Sequence, residues 1–372
     1  PARDAGAALR QRRRARGLPG GEGLGVGALM RDLLRKVITS PQAGLLLVIL
    51  VLGAALTVFA GTHVDRTTGR EVNNFLNAST LLQTATDASF FAIMAVGATV
   101  VIVSGGIDLS VGSIYALSGV SMALLMRASG EMASPQAVLL GLVTCLGVGL
   151  VCGAANGAMV VGLRVHPFII TLGTMWILRG IAFVTSHAES ILVPPALTAV
   201  AKASLGFALS LHPVPLLVML ATAIVGSIYL DRTVMGRHVF ALGGNPEASR
   251  FAGLPLGRIQ LGVFVVSGLT AGLAAFLGAS YYGSASCGDA TGYELYVIAS
   301  AVVGGASLTG GKGSAVSAML GAVLIVLIRQ SIRTLRFDQN YEWIIIGCAI
   351  IVAVVIDQSS SRVAARRLRK AA

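Results

Sequence analysis

Ten runs of apolar residues succeed one another along a chain of 372 residues, at approximately 44–60, 84–104, 112–127, 138–163, 168–186, 213–229, 259–280, 294–308, 314–328 and 341–356. Wound into a helix at about 1.5 Å per residue, the first of them reaches roughly 26 Å, close to the ~30 Å hydrocarbon core of a bilayer. That solvent offers no water to backbone N–H and C=O groups. Each run must therefore satisfy them internally as a helix, except where glycine and polar residues break it in a protected interior. The predicted fold is all-α: a polytopic transmembrane helical bundle of about ten spans, with interrupted helices. Composition agrees, because 55% hydrophobic against 12% charged residues and a mean hydropathy of +0.81 exclude a water-soluble enzyme. The run at 44–60 imitates a secretory signal, but it lacks a clear A-x-A cleavage site and many further spans follow it, so it reads as the first membrane helix.

The net charge of +12 is confined to three places: +6 over residues 1–36, +2 over 231–258 and +4 over 357–372. Lysine and arginine are retained on the cytoplasmic side during insertion. With ten spans, parity puts both tails and the 231–258 loop on that one side, so both termini are expected to be cytoplasmic. Residues 1–36 read as a disordered basic tail, 37–357 as the membrane domain and 358–372 as a second basic tail. No aromatic residues interleave with the basic stretches, which argues against nucleic acid. Arg329, Arg333 and Arg336 fall between the last two spans on the opposite side, where Asp338 and Glu342 compensate only in part. Their spacing gives them one helical face on which to snorkel or pair.

Gly149, Gly153 and Gly157 recur every four residues in the fourth span, and Gly268 and Gly272 in the seventh, a pattern that lets helix backbones approach closely. The scattered histidines and the four cysteines, Cys145, Cys152, Cys287 and Cys348, form no metal-ligand spacing and no disulfide framework. No metal site or catalytic residue is expected.

Polar residues inside the spans draw attention to the chemistry. Ser104–Ser113 places Asp108 and Ser110 between two apolar runs after Gly105 and Gly106. Either residue suits the N-cap of the following helix, and a carboxylate at membrane depth otherwise faces a polar cavity or a partner. Asp87, Asn156 and Arg179 are read as helix-to-helix hydrogen-bonding groups or as pathway residues. Gly304–Ser314, GGASLTGGKGS, resembles a phosphate-binding loop but fails the Walker A pattern, since Ala306 stands five before Gly311 and Gly313 follows Lys312. It reads as a turn between spans, and the chain has no visible means of hydrolysing ATP. In the 231–258 loop, Asn245 before Pro246 and Glu247 reads as an N-cap opening a short helix that Gly253 ends.

GGIDLSVGS (Gly105–Ser113), HPFIITLGTMWILRG (His166–Gly180), GRHVFALGGNPEASRFAG (Gly236–Gly253) and TGYELYVIASAVVGGASLTGGKGS (Thr291–Ser314) resemble the membrane subunit of ribose/xylose/galactose-type ABC importers, in the same order from about residue 75 to 357. The resemblance implies a multi-pass permease of the inner (plasma) membrane. Its partners would be a second permease copy, two cytoplasmic ATPase copies that carry the ATP and magnesium, and a periplasmic or extracellular sugar-binding protein. It implies that the cytoplasmic helix couples to the ATPase, with Gly236, Arg237, Asn245, Glu247 and Arg250 as the residues concerned, and that His187–Pro213 receives the binding protein. The chain itself would hold no cofactor. For a neutral polyhydroxy solute passing through it, the pathway candidates are Asp108, Ser110, Asn156, Thr171, Tyr281 and Asp87. An amino-acid or nucleoside permease, an ion-coupled transporter with Asp87 or Asp108 as relay, and an intramembrane enzyme are the competing readings.

Overall fold

The computed structural model describes residues 41–64, 69–130, 134–203, 213–338, 340–345, 347, 348, 351 and 355. Both basic tails, and 204–212 within the segment expected to receive a binding protein, lie outside the described residues. The chain divides into units at 1–44 and 45–372, and the account below concerns the second.

Helix α1 (Pro41–Phe59) leads through a two-stranded ribbon, β1 (Thr62–Val64) and β2 (Glu71–Asn73), into α2 (Ala78–Val103). There follow α3 (Val111–Ser129), α4 (Ser134–Leu163) and α5 (Pro167–Ser186). Strand β3 (Ser190–Leu192), the short helix α6 (Pro195–Ala201) and the long α7 (Val214–Arg232) come next. Two short helices, α8 (Val234–Gly244) and α9 (Pro246–Phe251), precede α10 (Leu256–Tyr282). Strand β4 (Ser284–Ser286) pairs antiparallel with β3, and α11 (Tyr293–Val303) and α12 (Ala315–Thr334) complete the named elements. Eight helices among the described residues are long and apolar enough to cross a membrane, and the architecture is an all-α polytopic bundle.

Helix α2 is the axis. It packs against α7, α10, α11 and α12, and Phe91, Ile93, Met94 and Val100 on it are fully enclosed. Asn77 caps its start, the carboxamide oxygen accepting the Thr80 N–H at 2.8 Å, as an N-cap should. The tightest seam joins α4 to α10. A Cβ on Gly268 would overlap the carbonyl oxygen of Gly149, one on Gly153 that of Phe264, and one on Gly272 that of Cys145. The glycine periodicity thus does what it foretold: backbones touch with no side chain between them.

Three expectations are corrected. The span at 294–308 ends as a helix at Val303, because Gly304 and Gly305 turn the chain; α11 has only 11 residues, about 16 Å of rise, and the loop 304–314 carries the chain on to α12. Conversely, α12 runs on to Thr334, so Arg329 and Arg333 are helical residues of a span rather than parts of a connector. Finally, most of the 231–258 loop is helix, since α8 precedes the expected α9. The Thr233 hydroxyl caps α8 by accepting the Gly236 N–H at 3.0 Å.

Because α10 starts beside α9 and finishes at β4, the bundle has two distinguishable ends. The α8–α9 pair marks one and the β3–β4 ribbon the other.

Candidate functional site

The pathway residues named from the sequence separate into two groups. Asp108, Ser110, Asn156 and Thr171 are all buried and belong to one assembly that fixes the break between α2 and α3. Asp108 Oδ1 accepts the backbone N–H of Ser110 at 2.9 Å and its hydroxyl at 2.6 Å, while Oδ2 accepts the hydroxyl of Ser267, on α10, at 2.7 Å. Asn156 of α4 donates its Nδ2 to Ser110 Oγ at 2.8 Å, and Thr171 of α5 donates to the Ile107 carbonyl at 3.1 Å. Three helices, α4, α5 and α10, are pinned to one extended segment, whose Ile107 carbonyl and Ser110 N–H find their partners within the assembly. Neither Asp108 nor Ser110 caps α3 in the expected sense. Ser110 occupies the N-cap position with helical φ and ψ and makes no capping bond, because its hydroxyl already serves Asp108 and Asn156. Ser267 was not foreseen; the signal was a lone serine beside Gly268 in an apolar run.

Asp87 and Tyr281 lie at the ribbon end instead, in a cluster of rings and charges. Tyr282 donates to Asp87 at 3.0 Å, Gln83 donates to the same carboxylate at 2.8 Å, and Arg333 stands 3.6 Å from it. Arg329 Nε lies 2.6 Å from Glu342 Oε1, a charge contact without the alignment of a hydrogen bond, since the Nε–H is aimed at no acceptor among the described residues. The guanidinium carbon sits 4.9 Å from the Tyr296 ring centre and 5.4 Å from that of Phe91, within cation–π range. Tyr296 donates to Glu342 at 2.7 Å. Two of the three arginines that parity left on the wrong face, Arg329 and Arg333, are therefore paired as well as placed. Three cavities open here, all bordered by Tyr293: one of about 260 Å³ with Tyr296, Arg329, Asn340, Glu342 and Trp343; one of about 90 Å³ towards Tyr115 and Asp289; and one of about 70 Å³ towards Asp87 and Arg333. Of the seven tyrosines in the chain, four fall at 281, 282, 293 and 296; that concentration was the available clue, and the reading by apolar runs passed over it.

Arg179 is tied to the turn after β4, donating to the carbonyls of Cys287 and Asp289 at 2.7 and 2.6 Å. In that turn burial raises the Asp289 carboxyl above its ordinary value, against the lowering effects of the Ser286 N–H bonded to it and of the nearby Arg179.

At the opposite end, Asn245 caps α9 by accepting the Ala248 N–H at 2.9 Å, and Gly253, with φ at +77°, turns the chain away, as read from the sequence. Arg237, Asn245, Glu247 and Arg250 are exposed, and Phe251 is 90% exposed. Gly236 is buried, and a Cβ there would overlap the carbonyls of Tyr229 and Leu230, so the glycine lets α8 fold back against the end of α7. Beneath α9 glycine meets glycine. A Cβ on Gly243 would overlap the Val103 carbonyl at the end of α2, one on Gly310 would come within 2.7 Å of the Gly243 carbonyl, and Gly311 donates its N–H to Val103 at 2.8 Å. The GGKGS segment is thus a turn, with Gly310 and Gly311 at φ of +85° and +73°, wedged between α8 and the α2–α3 break.

A bundle of this kind, with interrupted helices pinned by polar groups and a short exposed helix fused to their ends, has the build of a solute permease. The family model described as "Branched-chain amino acid transport system / permease component" matches residues 80–354, and the chain belongs to that family. Among similar proteins, the D-allose transport system permease protein AlsC of Escherichia coli (strain K12) is 35% identical over 77% of this chain and 86% of its own length. The ribose import permease protein RbsC of the same strain is 34% identical over 76% and 87%. The L-arabinose ABC transporter permease protein AraH of Azospirillum brasilense is 31% identical over 85% and 87%. No solved structure matches the chain.

Proposed function

We propose that this chain is the membrane subunit of an ATP-driven monosaccharide importer, working as a passive gate moved by a separate ATPase. The observation that carries the reading is the glycine junction: α9, exposed and capped, connects through Gly243 by direct backbone contact to the end of α2 and to the 304–314 loop. A push on α9 thereby reaches both interrupted spans without passing through compressible side chains. Two such gates side by side, each gripped by an ATPase at α9, would alternate their access when ATP closes the motor, a population shift driven by differential binding. Glu247, Arg237, Arg250 and Phe251 are the surface the ATPase meets, with Asn245 holding the helix in shape; ATP and magnesium belong to that partner.

The positive-inside rule supports placing α9 and both tails in the cytoplasm and the β3–β4 ribbon outside the inner membrane, where His187–Pro213 receives a sugar-binding protein. Sugar is favoured over amino acid as the cargo because allose, ribose and arabinose stand in the names of relatives aligned over most of the chain. The assignment is tested by reconstitution in proteoliposomes. Uptake of D-ribose, D-allose or L-arabinose is expected only when ATPase, binding protein and ATP are all present, and Glu247→Arg is expected to abolish it with insertion intact. Uptake against a gradient by the chain alone, collapsing with a proton or sodium gradient, would establish the ion-coupled reading instead.

A further inference from the structure

The buried assembly around Asp108 borders none of the three cavities described above, which are polar, lined by rings and placed at the ribbon end. From the largest of the three we infer that the permease itself carries a low-affinity acceptor site for one monosaccharide, formed by Tyr293, Tyr296, Trp343, Arg329, Glu342 and Asn340. The inference rests on the importer reading and names where the solute is held.

Three properties of the cavity select the ligand. Its volume of about 260 Å³, just below the roughly 300 Å³ at which small-molecule sites begin, suits one sugar ring. Its charges cancel, because Arg329 and Glu342 face each other at 2.6 Å; a lone anion or cation would have to break that pair without replacing it. Its walls alternate rings with polar groups. Tyr293 and Tyr296 stand edge to face, with centres 6.4 Å apart, and Tyr296 is buried, whereas Trp343, 6.1 Å from Tyr296, is 59% exposed, so the indole is the ring surface open to the C–H side of a pyranose or furanose. A guanidinium and a carboxylate offer paired donors and paired acceptors, the geometry that matches adjacent hydroxyls. A branched aliphatic amino acid would fill the volume, but its ammonium and carboxylate would compete with the existing pair, and its side chain would lie against polar walls.

The test uses the full chain in lipid nanodiscs without partners. The sequence holds two tryptophans, Trp176 and Trp343, so a Trp176→Phe background leaves Trp343 as the reporter. Titration with D-ribose, D-allose and L-arabinose is expected to give a saturable change in Trp343 emission with at least one of them, in the millimolar range, and none with maltose or L-leucine. Arg329→Gln is expected to weaken the response at least tenfold. Should that variant fail to fold, Asn340→Leu, at an exposed position on the rim, is expected to do the same by obstruction. Silence towards all three monosaccharides in a correctly folded chain overturns the site, as does a response that neither variant changes. Sugar uptake by the complete importer that persists despite such silence removes the site and leaves the importer reading standing, whereas a response to L-leucine with none to sugars removes both.

Discussion

Replacing Gly268 by alanine adds one methyl group, yet the α4–α10 seam has nowhere to put it. The new carbon would overlap the Gly149 carbonyl oxygen and lie 3.0 Å from both the Gly149 carbonyl carbon and the Gly153 Cα. All three are backbone atoms, so no rotamer change relieves the clash. Carbon needs about 3.5–4.0 Å, and the helices must part by roughly an ångström to restore it. A gap of 0.5–1 Å forfeits about a quarter to a half of each contact's attraction, and it opens along a seam that holds Gly149, Gly153, Gly157, Gly268 and Gly272 in register. Overpacking of this kind costs about 1–3 kcal/mol, and lipid supplies no competing hydrophobic drive to press the helices together again. The assay is thermal unfolding of the detergent-solubilised protein, followed by retention of the monodisperse peak after heating. Gly147→Ala is the matched control, because on the same α4 a Cβ there meets nothing within 4 Å. Gly268→Ala is expected to melt several degrees lower while Gly147→Ala melts like the parent. Equal melting of the two variants would mean that the seam is not closed at backbone contact, and the packing argument would fail with it.

Asp108→Asn keeps an oxygen for the two Ser110 donors and turns its amide towards Ser267, which can accept, so it is expected to cost under about 1.5 kcal/mol and to leave transport near normal. Asp108→Leu leaves three donors with no acceptor, at about 1–3 kcal/mol each, and is expected to prevent a stable fold, as read by yield of the monodisperse protein; severe transport loss in a stable Asn variant would instead make the charge itself functional. Gly243→Ala is expected to hold the ATPase, since the α9 surface is untouched, but to sever motion from hydrolysis, so that ATPase turnover continues while sugar uptake falls. Gly244→Ala, where a Cβ meets nothing within 4 Å, is its control, and equal uptake by the two variants would take the glycine junction out of the transmission path.

Much of the molecule is legible without coordinates. The apolar runs give the spans because a membrane permits little but helices, and the glycines every fourth residue give the α4–α10 seam because only hydrogen atoms fit between touching backbones. The cap at Asn245 and the failure of GGKGS as a nucleotide loop follow from local chemistry, which sequence carries in full. Hydropathy did not tell which helix lies where. The first span has mean hydropathy 2.4 with 6% of its window buried, and α2 has 1.9 with 94% buried. Lipid tails are as apolar as leucine, so the same residues serve a helix facing lipid and one enclosed by protein. The tertiary structure alone decided that Asp108 joins Ser267, 159 residues away, and that Arg333 answers Asp87 across the bundle. Long-range polar partners leave no periodicity behind; they are chosen by which faces meet, and that is settled only when the helices pack.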